Sequence, residues 1–112
     1  MYALLIYRDP ATWNALSAEQ RAAVAGEHDA FRRSVPELVL TESFAHPAET
    51  TTIRARGDAT IAGTGPYVDT PAHLCGYYLV DCVSPDRAIQ LACRLPDARY
   101  AAVEVRELTD AQ

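Results

Sequence analysis

The sequence predicts a single α+β domain, in which two helices are placed between the strands of an antiparallel sheet. Apolar, strand-like segments stand at both ends of the chain, at residues 2–7 and 102–108. Helix-start signals begin at Ser17 and Ser84, each between two strand-like segments. The chain has 112 residues, of which 49% are hydrophobic and 22% charged, which is enough for one core without metals or disulfides.

The first strand and the first helix are separated by a proline-containing break. Residues 2–7 are almost continuously hydrophobic, and a strand that is apolar on both faces has to be covered on both. Ser17 stands three residues before Gln20, which is the spacing of a capping box. The pattern predicts a helix over residues 18–34 that stops before Pro36.

A histidine lies on the apolar face of this helix. Val24, His28, Phe31 and Val35 follow one another at intervals of four, three and four residues, which places them on one side. His28 is therefore expected inside the apolar stripe.

The middle of the chain is predicted to form a hairpin or meander. Residues 38–44 and 51–56 are strand-like. The sequence Gly57-Asp58 favours a turn that brings a short strand, residues 60–62, back beside the second of them.

The stretch of residues 63–82 organises the chain. Its first half is rich in glycine, proline and short polar residues, which favour turns, and Pro66 and Pro71 stiffen it. Its second half, residues 76–80, is aromatic and branched and is predicted to be a strand. A rigid loop that leads into a strand is a good mount for binding groups, although the same residues are also typical of a tight turn without chemistry.

A second helix and a last strand complete the pattern. Ser84 and Pro85 provide an N-cap and a proline at the first helical position, and the helix is predicted to run to Leu95. Residues 102–108 alternate between valines and small or polar residues, so one face meets polar surroundings. The order of strands and helices is the split βαβ plan of the ferredoxin-like fold.

The predicted topology leaves one face of the sheet uncovered by helices. The first strand is apolar on both sides, which indicates that this face is buried as well. Packing against a second copy of the chain is the simplest way to bury it. We therefore expect a homodimer.

Composition excludes several function classes. The formal net charge is -5, whereas binding to a nucleic-acid backbone needs a clustered excess of Lys and Arg. The apolar N-terminal run is too short to span a bilayer and lacks the flanks of a signal peptide. We expect a cytoplasmic protein with no nucleic-acid and no membrane partner.

The residue types that bind metals lack the spacing of ligands. Cys75, Cys82 and Cys93 form no C-x-x-C pair, and His46 and His73 lie in predicted loops without ligand spacing. We expect no disulfide framework, no metal and no cofactor, and there is no phosphate-binding glycine loop or nucleophile elbow. All three cysteines are expected to be buried or half-buried apolar groups in a reducing compartment.

With these elements in place, the chain resembles the YCII-related family and, within it, the DGPF subgroup. The resemblance covers nearly the whole length and is carried by Leu4-Leu5-Ile6-Tyr7, Trp13, Leu16-Ser17, His28, Phe31, Gly65-Pro66-Tyr67, Asp69-Thr70, Leu74, Gly76-Tyr77-Tyr78-Leu79-Val80-Asp81, the helix from Ser84 to Pro96, and Val103-Glu104-Val105-Arg106. Gly65-Pro66-Tyr67 takes the place of the family's Gly-Pro-Phe.

The resemblance implies a dimeric α+β barrel, in which two ferredoxin-like sheets pack face to face around a small pocket. It also implies an active site in that pocket, with a helix histidine and a nearby acidic residue suspected of catalysis. Some relatives resemble lactone-processing or dehalogenating enzymes, and others accompany extracytoplasmic-function sigma factors.

The chain departs from the subgroup motif at two places. Thr64 stands where the motif begins with Asp, and Asp69-Thr70-Pro71-Ala72 stands where it continues Glu-Thr-Lys-Glu. If the motif's leading acid orients the histidine, that partner is missing here. Asp69 is the residue best placed by sequence to substitute for it.

His28 is the candidate general base. The unperturbed pKa of an imidazole lies near the working pH, so the neutral ring can take up a proton and return it, provided that an acid or a carbonyl fixes its other nitrogen. Asp69 and Glu42 are the candidate acids. The alternative is a core histidine with one hydrogen bond at its edge.

Tyrosines and one arginine are candidate binding groups. Tyr67, Tyr77 and Tyr78 can offer an apolar body and a hydroxyl to a small organic acid or aromatic ligand, or they can be sheet packing. Alternation lets only one of Tyr77 and Tyr78 face a given pocket. Arg106 can hold a ligand carboxylate, or form an ion pair with Glu104 of a neighbouring chain. The predicted binding residues are Glu42, Thr64, Gly65, Pro66, Tyr67, Thr70, Tyr77 and Arg106.

Two function classes follow from the sequence. In one, the protein is an enzyme that performs an elimination, isomerisation or hydrolysis on a lactone or small organic acid, with His28 and Asp69 or Glu42. In the other, it is a non-catalytic small-molecule sensor or partner-binding module that has kept the barrel and lost the acid, as Thr64 suggests.

Overall fold

The computed structural model describes residues 1–109. The elements in chain order are the strand β1 (Tyr2–Arg8), the helices α1 (Pro10–Ala15) and α2 (Ala18–Ser34), the strand β2 (Leu38–Ser43), a short 3₁₀ helix (Pro47–Glu49), the strands β3 (Thr51–Arg56), β4 (Ala59–Thr64) and β5 (His73–Val80), the helices α3 (Pro85–Cys93) and α4 (Asp97–Tyr100), and the strand β6 (Ala102–Glu107). Within this part of the chain, no helix has both the length and the apolar character needed to cross a membrane.

Four strands form one antiparallel sheet in the order β2-β5-β1-β6. The helix α2 connects β1 to β2, with β5 between them in the sheet, and α3 connects β5 to β6, with β1 between them. These are two interlocked split βαβ units, so the predicted ferredoxin-like α+β fold is confirmed.

The strands β3 and β4 form a separate two-stranded hairpin between β2 and β5 in the chain. Nearly all of its residues are exposed. The radius of gyration is 16.1 Å, whereas a compact domain of this length is expected to have about 13 Å. A hairpin that extends away from the sheet accounts for the larger value.

Alternation along the strands directs one set of side chains towards the helices. Tyr2, Leu4 and Ile6 of β1 are buried on this side together with Tyr78 and Val80 of β5. The core is completed by buried residues that lie outside the strands: Phe31, Val35, Cys82, Ala88, Leu91, Ala92 and Leu95. The two valines of β6 pack against the core, as their alternation predicts.

The opposite side of the four-stranded sheet, which we term the open face, is not covered by α2 or α3. Cross-strand pairing places Tyr7, Leu40 and Leu79 there, with Glu104 and Arg106 of β6. The first strand is therefore apolar on both faces, but a single chain covers only one of them.

Two proline-containing segments that the sequence predicts to end a strand or a helix begin short helices in the structure. The side chain of Asp9 accepts a hydrogen bond from the backbone N–H of Ala11 at 2.9 Å, and Pro10 is the first residue of α1. Proline is tolerated at that position because its missing N–H would have no helical partner. Similarly, α3 ends at Cys93 rather than at the predicted Leu95, and Pro96 is the N-cap of α4, which begins at Asp97. The sequence prediction contained neither α1 nor α4.

Two further expectations differ in detail. The strand β5 begins at His73 rather than at residue 76, because its pairing with β1 continues to the end of that strand. Cys82 is buried and Cys75 half-buried, as predicted, but Cys93 is exposed because it lies on the outer side of α3, opposite the buried Leu91.

Gly76 allows β2 and β5 to approach each other closely. A Cβ atom at this position would lie 2.8 Å from the carbonyl oxygen of Glu42 and 3.4 Å from the Cα of Ser43. Both neighbours are backbone atoms, so no side-chain rotation can relieve the contact. A side chain here would push the two strands apart.

Gly76→Ala is expected to lower the free energy of unfolding by about 1–3 kcal/mol, because overpacking forces backbone shifts. Gly26→Ala is the matched control, since a Cβ at Gly26 in α2 meets nothing within 4 Å. Alanine is favoured over glycine in a helix by about 1 kcal/mol, so this variant should be more stable. Urea unfolding followed by circular dichroism measures both. Equal effects of the two substitutions would contradict a steric role for Gly76.

Candidate active site

Four side chains from four separate elements meet between α2 and the sheet. They are Arg8 at the end of β1, His28 in α2, Tyr78 in β5 and Asp97 at the start of α4. Arg8 lies on this side because it continues the alternation of β1 one step beyond the buried Ile6. We term these four residues the His28 network.

Hydrogen bonds connect all members of the His28 network. Nδ1 of His28 lies 2.8 Å from the hydroxyl of Tyr78, and Nε2 lies 2.6 Å from Oδ2 of Asp97. Oδ1 of Asp97 accepts a hydrogen bond from Nε of Arg8 at 3.1 Å and lies 3.0 Å from a terminal guanidinium nitrogen. Both nitrogens of the imidazole and both oxygens of the carboxylate therefore have partners.

The helical spacing places His28 as predicted. Val24, Phe31 and Val35 on the same stripe are buried. The side chain of His28 is 14% exposed, so apolar packing holds the ring without closing it off. Its ring is nearly parallel to that of Tyr78, with centroids 5.9 Å apart and an interplanar angle of 9°.

Asp97 is a buried carboxylate that is held in its charged form. The residue is 1% exposed, and burial by itself raises the pKa of its carboxyl. The hydrogen bond from His28, together with the charge and hydrogen bond of Arg8, outweighs burial and lowers the pKa of Asp97 below its ordinary value. Arg8 is in turn held by Trp13, because its Cζ lies 3.8 Å from the centroid of the indole ring.

The charge on Asp97 determines where His28 carries its proton. An ionised carboxylate only accepts hydrogen bonds, so Nε2 of His28 donates to Asp97. In the neutral imidazole Nδ1 is then an acceptor, and the hydroxyl of Tyr78 donates to it. The arrangement contains a base, an acid that orients the base, and a hydroxyl whose proton the base can take.

A cavity of about 350 Å³ opens beside the network and is termed the His28 cavity. Small-molecule sites have volumes of roughly 300–1,000 Å³, so its size suits a small ligand. Arg8, His28 and Tyr78 line it. Trp13, Arg21, Arg32 and Phe44 also contribute to its wall. Glu42 and Tyr77 border it as well, but cross-strand pairing sets them opposite each other on the open face, the face that Tyr78 does not share. Among residues 1–109, no three or more His, Cys, Asp or Glu side chains are grouped so that they could hold a metal ion.

Asp97, rather than either acid predicted from the sequence, contacts His28. Glu42 lines the His28 cavity, but both imidazole nitrogens are bonded to other groups. Asp69 is exposed, in the loop between β4 and β5, and does not line this cavity. The reason is topological, because that loop lies over the open face whereas His28 lies on the helix side. A catalytic role of Asp69 stays a prediction.

The proline-stiffened loop instead lines a second, larger cavity of about 1060 Å³ over the open face. Pro66 and Thr70 contribute to it, together with Arg106 of β6. A terminal nitrogen of Arg106 lies 3.2 Å from Oε1 of Glu104, so the ion pair expected between neighbouring chains is formed within one chain. The sequence groups these residues with His28, and the structure places them on the opposite face of the sheet.

Three other predicted binding residues, Thr64, Gly65 and Tyr67, lie at the base of the β3–β4 hairpin. Gly65 has a φ of 98°, which favours glycine, and its carbonyl accepts a hydrogen bond from the hydroxyl of Thr52 at 2.6 Å. Tyr67 is exposed, with the guanidinium of Arg54 5.6 Å from its ring centroid. Within one chain these residues shape the turn and do not reach the His28 cavity.

Sequence reasoning found His28 but missed Arg8 and Asp97. A signal for Arg8 is present, because it continues the alternation of the buried residues of β1. Asp97 follows a proline at the end of a helix, where an acid is ordinary, and 69 positions separate it from His28. No local spacing could have connected the two.

Comparison with known proteins identifies the family. The model of the YCII-related domain family matches residues 1–112. The chain belongs to the YCII-related family. An uncharacterised protein of Rhizobium meliloti (strain 1021) is 34% identical to this YCII-related protein over 113 residues, which cover 96% of this chain and 91% of that protein. These likenesses establish the relationship, and the reaction has to be inferred from the site.

Asp97→Asn in the YCII-related protein is expected to lower the free energy of unfolding near neutral pH by about 1.5–3 kcal/mol, because it removes hydrogen bonds to a charged acceptor. The folded-state pKa of Asp97 lies below its value in the unfolded chain. Its contribution is therefore complete above the unfolded-state pKa and is lost as the pH falls through the folded-state pKa.

Urea unfolding over a pH series down to about pH 3 measures this effect, and the stability difference between wild type and Asp97→Asn should narrow as the pH falls. Asp58→Asn, in the exposed turn between β3 and β4, controls for the loss of one carboxylate. A difference that stays constant over the whole series would argue against a stabilising charge on Asp97.

Proposed function

We propose that this YCII-related protein is an enzyme that moves protons on a small molecule bound in the His28 cavity. The hydrogen bond from His28 to the buried, ionised Asp97 carries the proposal. An orienting carboxylate fixes the imidazole tautomer and stabilises the imidazolium that forms when the ring takes up a proton. A core histidine with one bonded edge would need neither a second partner nor a cavity beside it.

The chemistry that this site favours is elimination, isomerisation or hydrolysis. Each reaction begins with removal of a proton from a carbon, a hydroxyl or a water, and ends with the return of a proton. One positioned base can serve both steps, and general acid–base catalysis of this kind contributes about 10²–10⁴-fold.

The walls of the cavity favour a small anionic or unsaturated molecule. Arg21 and Arg32 of α2 line it, and Arg21 forms no ion pair with any of residues 1–109. Trp13 and Phe44 supply aromatic surface. A lactone or small organic acid offers a carbonyl or carboxylate to an arginine and a flat carbon skeleton to the rings.

Proton removal can be measured before the natural substrate is known. In D₂O the wild-type protein is expected to exchange deuterium into the carbon next to the carbonyl of a member of a panel of butenolides and 2-oxo acids. Loss of the corresponding ¹H NMR signal reports the rate. His28→Gln should slow this exchange at least about 100-fold, because an amide cannot take up the proton.

His46→Gln is the matched control, because His46 lies in an exposed loop outside the His28 cavity, and its exchange rate should equal that of wild type. If panel members bind to the wild-type protein in calorimetric titrations but never exchange, the protein is instead the non-catalytic sensor or partner-binding module. Equal rates for wild type and His28→Gln would also refute the proposal.

We further propose that two copies associate through the open face into the dimeric α+β barrel of the DGPF subgroup. The exposed Leu40 and Leu74 on this face support the association, as does the extended β3–β4 hairpin. Gly65-Pro66-Tyr67, in place of the subgroup's Gly-Pro-Phe, supports the assignment. Unpaired cysteines suit the reducing conditions of the cytoplasm, where we propose that the protein acts.

Leu40→Lys tests the dimer, because it places a charge on the open face. Light scattering of the wild-type protein at micromolar concentration is expected to give about twice the 12.2 kDa mass of one chain, and Leu40→Lys should shift the mass towards one chain. Ile89→Lys on the outer side of α3 is the matched control, since Ile89 is 49% and Leu40 42% exposed. A wild-type mass of one chain would contradict the dimer.

A further inference from the structure

We propose that Tyr78 is the catalytic residue that exchanges the proton with the bound molecule, and that His28 is the base behind it. This inference rests on the proposed function and names the atom that meets the substrate. That atom is the phenolic oxygen of Tyr78.

Both ring nitrogens of His28 are engaged in hydrogen bonds within the protein. Nε2 donates to Asp97 at 2.6 Å, and Nδ1 accepts from the hydroxyl of Tyr78 at 2.8 Å. While this arrangement holds, a proton reaches the imidazole only along the hydrogen bond from Tyr78. The group that can exchange a proton with a ligand is therefore the next one outward, the hydroxyl itself.

The surroundings of Tyr78 hold this hydroxyl in one place. The edge of Phe31 packs against the tyrosine ring, with centroids 4.8 Å apart at 61°, and the ring of His28 lies nearly parallel to it. Tyr78 is 3% exposed, yet it lines the His28 cavity. A ring that is packed on its sides and borders the cavity presents its polar end at a fixed position.

Arg32 supplies positive charge where a phenolate would form. Burial, together with the charge of Asp97, holds the pKa of Tyr78 above its ordinary value, and the charge and hydrogen bond of Arg32 act in the opposite direction. Arg32 also lines the cavity. During proton transfer, the phenolic oxygen would lie between this guanidinium and the imidazolium of His28, and both cations stabilise negative charge on it.

The proton transfer needs no other reactant. The hydroxyl proton of Tyr78 passes to Nδ1 of His28 while the phenolic oxygen takes a proton from a substrate carbon. The C–H bond breaks, its electron pair stays on the substrate as an enolate, and a new O–H bond forms on Tyr78. His28 is left as an imidazolium paired with Asp97. The reverse path returns a proton to the same carbon or to another one.

Tyr78→Phe tests the proposal, because it removes the hydroxyl and keeps the ring. Deuterium exchange into the butenolide and 2-oxo acid panel is expected to fall at least about 100-fold, as for His28→Gln. Tyr2→Phe is the matched control and should exchange at the wild-type rate, since Tyr2 is buried on the same side of the sheet but does not line the His28 cavity. Retained exchange in Tyr78→Phe, with loss in His28→Gln, would overturn the role of Tyr78 and leave the proposed function standing.

A second measurement decides the question even if no panel member turns over. Diethyl pyrocarbonate acylates accessible imidazole nitrogens, and peptide mass spectrometry separates His28 from His46 and His73. In the wild-type protein His28 is expected to react more slowly than the exposed His46, and Tyr78→Phe should accelerate its reaction. If wild-type His28 reacts as fast as His46, or if its rate is the same in Tyr78→Phe, the hydroxyl does not stand between the imidazole and the cavity, and the proposal fails.

Discussion

The buried carboxylate of Asp97 is the interaction on which the rest of the site depends. It binds Arg8 of β1 and His28 of α2, so one side chain connects three elements that are far apart in the chain. Burying a charged group costs on the order of several kcal/mol, unless the group is paired with an opposite charge and hydrogen-bonded. A misplaced Arg8 or His28 would leave this charge uncompensated, so the stability of the fold is coupled to the geometry of the His28 network.

The His28 network lies at the end of β1, where the regular pairing of β1 with β5 is interrupted. The register between β1 and β5 shifts between Ile6 and Tyr7, which leaves Cys75 without a direct partner on β1. Such bulges increase the local twist and redirect side chains, and they are common next to active sites. Gly76 follows the bulge and lines the His28 cavity. Arg8 lies at this end of β1 and can therefore reach Asp97 while bordering the cavity.

Local rules account for most of the fold and only for part of the site. The helix α2 runs over the residues that its capping box and apolar stripe predict, because both signals act within a few residues. The same stripe locates His28. Asp97 belongs to a four-residue helix, which is too short to be stable by its own propensity and is held by tertiary contacts. The position of Asp69 likewise depends on how the β3–β4 hairpin leaves the sheet, and no short-range pattern encodes that direction.

The two faces of the sheet explain how this chain can have Thr64 rather than an acid at the end of β4 and still provide an acid for His28. Thr64 stands at the end of β4, at the base of the hairpin, whereas the carboxylate that orients His28 comes from α4. All four members of the His28 network belong to one chain and lie on the helix side, so the network is complete without a second copy. A partner on the open face would enclose the larger cavity around Arg106 without touching the network. Substitutions in the hairpin and its loop can therefore change the open face while the His28 network keeps its arrangement.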